Sequence, residues 1–124
     1  MVSVIDVVKF LRTEFPNLNI YPLEYPLNSP INSVKVEIQA NTEVKAGVFP
    51  LVVQLKVKDD HPSKAEAVSN EFKKLLENKT DFEIGGVQVV MVKSQNPVPL
   101  YLGKDLSGGY LYSNNFRFMI NEGE

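Results

Sequence analysis

The residue best suited to chemistry is His61, the only histidine of the chain, which directly follows Asp59 and Asp60. A histidine beside carboxylates can act as a general base or as a metal ligand. Such a site needs further ligands or a second catalytic group, but the chain has no other histidine and no cysteine. The three residues also precede a predicted helix, where negative charge is favoured. We therefore interpret His61 as a solvated capping residue and predict neither a metal site nor a cofactor.

The glycine pairs Gly85-Gly86 and Gly108-Gly109 are the next candidates, because glycine-rich loops can bind phosphate groups. A phosphate loop needs spaced glycines between a strand and a helix, and neither pair has that context. No Gly-x-Ser-x-Gly motif is present, and a serine triad lacks a plausible histidine partner. The sequence therefore predicts no catalytic residue and a protein that is not an enzyme.

One catalytic alternative stays open, because paired carboxylates can work without histidine. A carboxylate-dependent hydrolase could recruit a divalent ion through Asp59, Asp60 or Asp105. One loop acid or one adjacent pair does not define a cage of several oxygen ligands, however. This is the weaker hypothesis.

The charges and tyrosines favour protein contacts over nucleic-acid binding. The formal net charge is -2, and the lysines of the predicted second helix alternate with glutamates, which is typical of a solvated helix face. The tyrosines lie in or beside predicted loops and strand ends, where aromatic side chains are either half-buried or part of an interface. Both interpretations of the tyrosines stay open.

Length and composition predict one soluble folded domain spanning residues 1–124. The chain has 124 residues, of which 44% are hydrophobic and 23% charged, and this composition can support a core of ordinary size. Without cysteine it forms no disulfide. Its apolar runs are far shorter than the roughly 20 residues of a membrane helix, and the N-terminus has no secretory pattern. We expect no membrane partner.

Two amphipathic helices and several alternating segments must position these residues. Helical spacing predicts a first helix over 4–14, which begins with a capping box formed by Ser3 and Asp6, and a second helix that begins with a capping box from Ser63 to Glu66 and ends near Asn78. Alternation predicts strands over 18–23, 34–40, 51–57, 82–84, 87–93 and 110–120. The segments 24–32, 41–47 and 103–109 are predicted to be loops, and the last strand could bend at 114–115.

The order helix, strand, strand, strand, helix, hairpin, strand predicts an α+β fold. Its simplest arrangement is an antiparallel or mixed β-sheet of about five to six strands, with two helices packed on one face. Pro22 places the first strand at an edge or makes it short. The Gly85-Gly86 pair predicts a tight hairpin turn.

The C-terminal half carries residues that resemble a known family. They are Phe82-Glu83-Ile84-Gly85-Gly86, Gln95-Asn96-Pro97, Tyr101-Leu102-Gly103-Lys104-Asp105, Gly109-Tyr110-Leu111-Tyr112-Ser113 and Asn115-Phe116. This string resembles the minor capsid proteins of long-tailed bacteriophages, which are similar to tail terminators, also called tail completion proteins. The order of the predicted elements in the N-terminal half also agrees with this family.

The resemblance implies a structural virion protein, assembled in the cytoplasm of the bacterial host, that caps the tail tube and joins it to the head connector. It implies a homo-oligomer, in that family a six-membered ring, with the tail-tube protein and the head-connector protein as partners. DNA would pass through the lumen without specific binding. The alternative is a generic small intracellular adaptor domain that binds proteins and only shares the α+β layout.

Candidate contact residues come from exposed positions and from the predicted loops. Val52 lies on the nominal solvent face of its strand, and the regions 24–32 and 93–109 are the longest predicted loops. The candidate interface residues are Tyr25, Val52, Tyr101, Lys104, Asp105 and Tyr110.

Overall fold

The computed structural model describes residues 2–40 and 48–121, except for the side chains of Ala40 and Phe49. The helices in this part are α1 (Val4–Glu14) and α2 (Pro62–Leu76). The strands are β1 (Asn19–Pro22), β2 (Ser33–Ala40), β3 (Val48–Asp59), β4 (Thr80–Ile84), β5 (Val87–Ser94), β6 (Leu100–Lys104) and β7 (Tyr110–Asn121). The α+β class is confirmed, while the predicted turn over 41–47 lies outside the described residues.

The seven described strands form one mixed sheet in the order β1-β2-β3-β7-β5-β4. Of the described strands, only β1 and β2 pair in parallel, and β1 is an edge strand, as Pro22 predicts. β7 is the central strand. On one side it pairs with β3 along its whole length, and on the other it pairs with β5 and then with β6.

The helices cover one face of the sheet, and that face is the core. Alternate residues of β2, β3 and β7 point toward the helices, as the twofold period of a strand requires. Val36, Leu55 and Phe116 are completely buried on this face. The helices contribute fully buried side chains such as Leu11 and Phe72, so the predicted arrangement with both helices on one face is confirmed.

Local sequence signals determine where the two helices begin. The predicted capping box of α1 is present, with Ser3 Oγ accepting from the Asp6 amide and Asp6 Oδ2 accepting from the Ser3 amide, each at 3.1 Å. The predicted box at Ser63 is wrong, because α2 begins at Pro62 and its cap is His61. The His61 Nδ1 atom accepts from the Ser63 amide at 3.1 Å.

The segment before β7 is more ordered than its sequence predicts. The predicted loop over 103–109 begins inside β6. Alternation does not predict this strand, because Pro99 directly precedes it and Gly103 interrupts its short pattern. β7 pairs continuously with β3 from Tyr110 to Asn121, through the predicted bend position at 114–115. The sheet therefore has one strand more than the expected five to six.

Candidate protein–protein interface

The sheet face opposite the helices is polar and carries Val52. Cross-strand neighbours there form a row that ends in two cations, Gln39–Val52–Arg117–Lys93. Val52 itself is half-buried in the middle of the row. In a second row Lys35 and Lys56 are direct neighbours, and their repulsion is offset by Glu37, whose Oε2 lies 3.8 and 3.5 Å from the two Nζ atoms. Glu37 therefore offsets part of the positive charge of this face.

At one end of this face Lys58 joins three parts of the chain. Its Nζ lies 3.6 Å from Asp105 Oδ2 and 4.3 Å from the centre of the Tyr25 ring. Tyr25 in turn donates a hydrogen bond of 2.7 Å from its hydroxyl to the Lys56 carbonyl oxygen. We call Tyr25, Lys58 and Asp105 the Lys58 cluster. The Lys58 cluster connects the loop after β1 and the β6–β7 turn to the end of β3.

The turn between β6 and β7 is organised by Asp105. Its Oδ1 accepts hydrogen bonds from the Ser107 amide at 3.0 Å, the Ser107 hydroxyl at 2.7 Å and the Gly109 amide at 2.9 Å. Burial would raise the pKa of Asp105, but these hydrogen bonds and the Lys58 charge outweigh it and lower the pKa. The carboxylate is thus charged at neutral pH and holds the turn in one shape.

Burial also raises the pKa of Tyr25, and the negative charges of Asp105 and Glu37 raise it further. The ring therefore stays neutral, and its hydroxyl serves as a hydrogen-bond donor. Beside it, an open cleft of ≈ 560 Å³ lies between the loop after β1 and the β6–β7 turn. Leu27 and Leu106 line this cleft and are essentially fully exposed, which is typical of a contact surface.

A second cluster lies on the helix side of β6 and β7. The Tyr101 ring centre lies 6.5 Å from that of Tyr110 and 5.3 Å from that of Tyr112, and Lys104 Nζ lies 4.9 Å from the Tyr110 ring centre. We call these four residues the tyrosine cluster. Tyr112 is buried, whereas Tyr101 remains 54% exposed. The cluster thus presents a rigid aromatic surface, and such surfaces are frequent at protein interfaces.

The described residues contain no group of three or more His, Cys, Asp and Glu side chains that could hold a metal ion. His61 and Asp60 are exposed, and Asp60 pairs with Lys64 at 3.2 Å. Asp59 is buried, which raises its pKa, and its Oδ1 accepts from the Asp60 amide at 2.7 Å. Asp105 belongs to the Lys58 cluster, so the three acids of the hydrolase hypothesis do not form one site. Neither described helix is long and apolar enough to cross a membrane.

The sequence also matches a known family. The family described as "Bacteriophage tail terminator protein" matches residues 14–122, which is most of the chain. The chain belongs to the bacteriophage tail terminator family. Its role is therefore structural, in the phage tail, and the resemblance inferred from the C-terminal half is confirmed.

The fold of this terminator-family chain also occurs in a solved structure. That structure aligns with a TM-score of 0.58 and 14% sequence identity, over 96% of this chain and 90% of the other. At such low identity the likeness concerns the fold alone. No curated protein sequence matches the chain significantly.

The six predicted interface residues of this terminator-family chain fall into three places. Tyr25 and Asp105 lie together in the Lys58 cluster, and Tyr101, Lys104 and Tyr110 lie together in the tyrosine cluster. Val52 stands apart on the polar face. Whether any of them contacts a partner stays a prediction.

Sequence reasoning missed the residues that connect or extend these clusters. The alternation that places Val57 in the core predicts that its neighbour Lys58 faces solvent, but Lys58 is only 7% exposed. Leu100, Leu102 and Leu106 fall in the region 93–109, which the sequence predicts to be a loop. The sequence does contain one signal for these leucines. Large apolar residues follow Pro99 directly, and this pattern favours an exposed edge strand over a buried strand.

Proposed function

We propose that this chain caps the finished tail tube as a ring and joins it to the head connector.

 Six copies of the chain form the ring. One side of the ring binds the last ring of tail-tube protein, and the other side binds the head-connector protein. Growth then stops because the ring offers no further tube-like face, so specificity comes from surface complementarity and not from catalysis.

The observation that carries this proposal is the family match over residues 14–122. The surface is consistent with it. Five of the nine exposed large hydrophobic residues in the described ranges fall between Val98 and Leu106, and Leu27 and Ile31 add to them across the cleft. Apolar residues concentrated in this way favour a protein that works in an assembly.

The charges support passage of DNA through the ring without specific binding. On the polar face Glu37 offsets Lys35 and Lys56, and Asp105 offsets Lys58. Strong phosphate binding needs many free cations on one surface. These three lysines lie near carboxylates, and Arg117 and Lys93, the two further cations in the row through Val52, are few for such binding. We further propose that the ring assembles in the cytoplasm of the bacterial host and stays in the virion.

The test is to locate the protein on tubes assembled from the tail-tube protein of the same phage. Gold-labelled protein should bind at one end of each tube, and purified head connectors should then bind at that labelled end. The adaptor alternative predicts label along the tube walls or no label at all. Label that never occurs at a tube end would overturn the proposed function.

A further inference from the structure

The outer edge of β6 has no partner among the described elements. β5 and β6 run in the same direction along one side of β7, because both pair antiparallel with it, β5 over 116–121 and β6 over 110–113. β4 covers the outer edge of β5, whereas β6 contacts only β7. The backbone groups along this outer edge are therefore available to a further strand.

The side chains of β6 are also unusually apolar for an edge strand. Leu100, Tyr101 and Leu102 are 46%, 54% and 49% exposed. Edge strands of monomeric proteins are commonly protected by charges, prolines or bulges. Here a β-bulge lies between Tyr101 and Gly103, which limits pairing to a short stretch without removing the apolar surface.

The opposite side of the sheet provides a matching free edge. β1 pairs only with residues 33–36 of β2, so no described strand pairs with the outer edge of Glu37–Ala40. The edge of β1 itself is less suitable, because Arg12 Nε and Nη2 donate to the Ile20 carbonyl oxygen at 2.9 and 2.6 Å and Pro22 has no amide hydrogen. The edge of β2 over 37–40 is therefore the open one on that side.

We propose that β6 of one copy pairs with the 37–40 edge of β2 in the next copy, an inference that rests on the ring of the proposed function. In a ring, one surface of each chain binds a different surface of the next chain, and a rotation relates successive chains. β6 and β2 lie on opposite sides of the sheet and meet this need. A contact of β6 with β4, or with another β6, would turn the neighbouring copy around and close after two chains.

Strand direction and side-chain facing agree with this pairing. β2 runs parallel to β7 and β6 runs antiparallel to it, so copies in the same orientation would pair antiparallel. Tyr101 and Ile38 both point to the helix side, while Leu100 and Gln39 both point to the polar side. The faces of neighbouring sheets would therefore be continuous.

Cysteine cross-linking tests the pairing directly, because the chain has no native cysteine. The variant carrying both Leu100→Cys and Gln39→Cys should form disulfide-linked species of up to six chains on oxidation. β3 and β7 separate the two positions within one chain by about 14 Å, which is too far for an internal disulfide. Both positions are exposed, so thermal melting should match that of the wild type.

The controls distinguish this pairing from the alternatives. Leu100→Cys alone reports a β6–β6 contact, and Leu100→Cys with Glu83→Cys reports a β6–β4 contact. Efficient cross-linking of either control, or none in the Leu100/Gln39 variant while wild-type rings form, overturns the inference and leaves the proposed function intact. A wild-type chain that stays monomeric at every concentration also overturns it, and the tube-end labelling then still tests the proposed function.

Discussion

Lys58 Nζ lies 3.6 Å from Asp105 Oδ2, and this ion pair connects the end of β3 to the turn that joins β6 to β7. The lysine side chain is 8% exposed and the aspartate side chain 26% exposed, so solvent screens the pair only in part. The pair determines how the apolar residues of the β6–β7 turn are presented. Its strength can be measured through stability.

Removing the two partners should have unequal effects. Asp105→Ala leaves the Lys58 charge buried and removes the acceptor for Ser107 and Gly109, so it should lower the free energy of unfolding by about 2 kcal/mol. Lys58→Met keeps the hydrogen bonds of the turn and should cost less than about 1 kcal/mol. Urea denaturation measures both. Equal losses would contradict the role of Asp105 in the turn.

The same carboxylate should make stability depend on acid pH. The pKa of Asp105 is lowered below its ordinary 3.8, so its contribution is present at neutral pH and is lost as the pH falls through the lowered value. Asp105→Asn should therefore lose stability at pH 7, and its difference from the wild type should shrink as the pH falls below 3.8. A constant difference across this range would mean that the ion pair is not the cause.

The charge of Asp59 should affect stability at neutral pH in the opposite direction to that of Asp105. Its burial raises the pKa above the ordinary 3.8, so the charged form destabilises the fold at neutral pH. Asp59→Asn keeps an acceptor for the Asp60 amide and should raise stability at pH 7 by up to about 1 kcal/mol. This gain should disappear at low pH, where Asp59 is neutral. Asp60→Asn is the comparison in the same urea titrations. Hydrogen bonds to Asp59 and Lys64 lower the pKa of Asp60, so this variant should gain no stability at pH 7.

The turn between β4 and β5 requires glycine for two different reasons. Gly85 and Gly86 have φ of +58° and +79°, and an added Cβ at Gly85 would lie 2.6 Å from Asp6 Cγ, whereas one at Gly86 meets nothing. Gly86→Ala should cost about 1 kcal/mol through its backbone conformation alone. Gly85→Ala should cost clearly more by thermal melting. If combining it with Asp6→Ala recovered none of that excess, the clash would not be its source.

Substitutions at core and surface positions of the C-terminal half should differ clearly in their effect on the free energy of unfolding. Phe116 is fully buried, so Phe116→Ala should destabilise the protein by about 3–5 kcal/mol. Lys104 is exposed, and Lys104→Ala should change the free energy of unfolding by no more than about 0.5 kcal/mol. Urea unfolding of both variants checks this. A large loss for Lys104→Ala would mean that the tyrosine cluster is part of the core.

The sequence predicts most of this fold because hydrophobic residues recur at a clear period in its helices and long strands. Helix α1 is predicted at its observed bounds, and the β4–β5 hairpin follows from Gly85-Gly86. β6 could not be predicted in the same way. Pro99 precedes it, Gly103 interrupts its five residues, and its pairing with β7 is decided by tertiary structure. Lys58 was missed for a related reason, since its burial depends on Tyr25 and Asp105, which are distant in sequence.

The most direct test of the central claim is the length of tail tubes assembled in cells with and without this chain, measured by electron microscopy. If the chain caps the tube, tubes made without it should be long and variable in length, and supplying the wild-type chain should restore one narrow length. Equal length distributions in the two cases would contradict the claim.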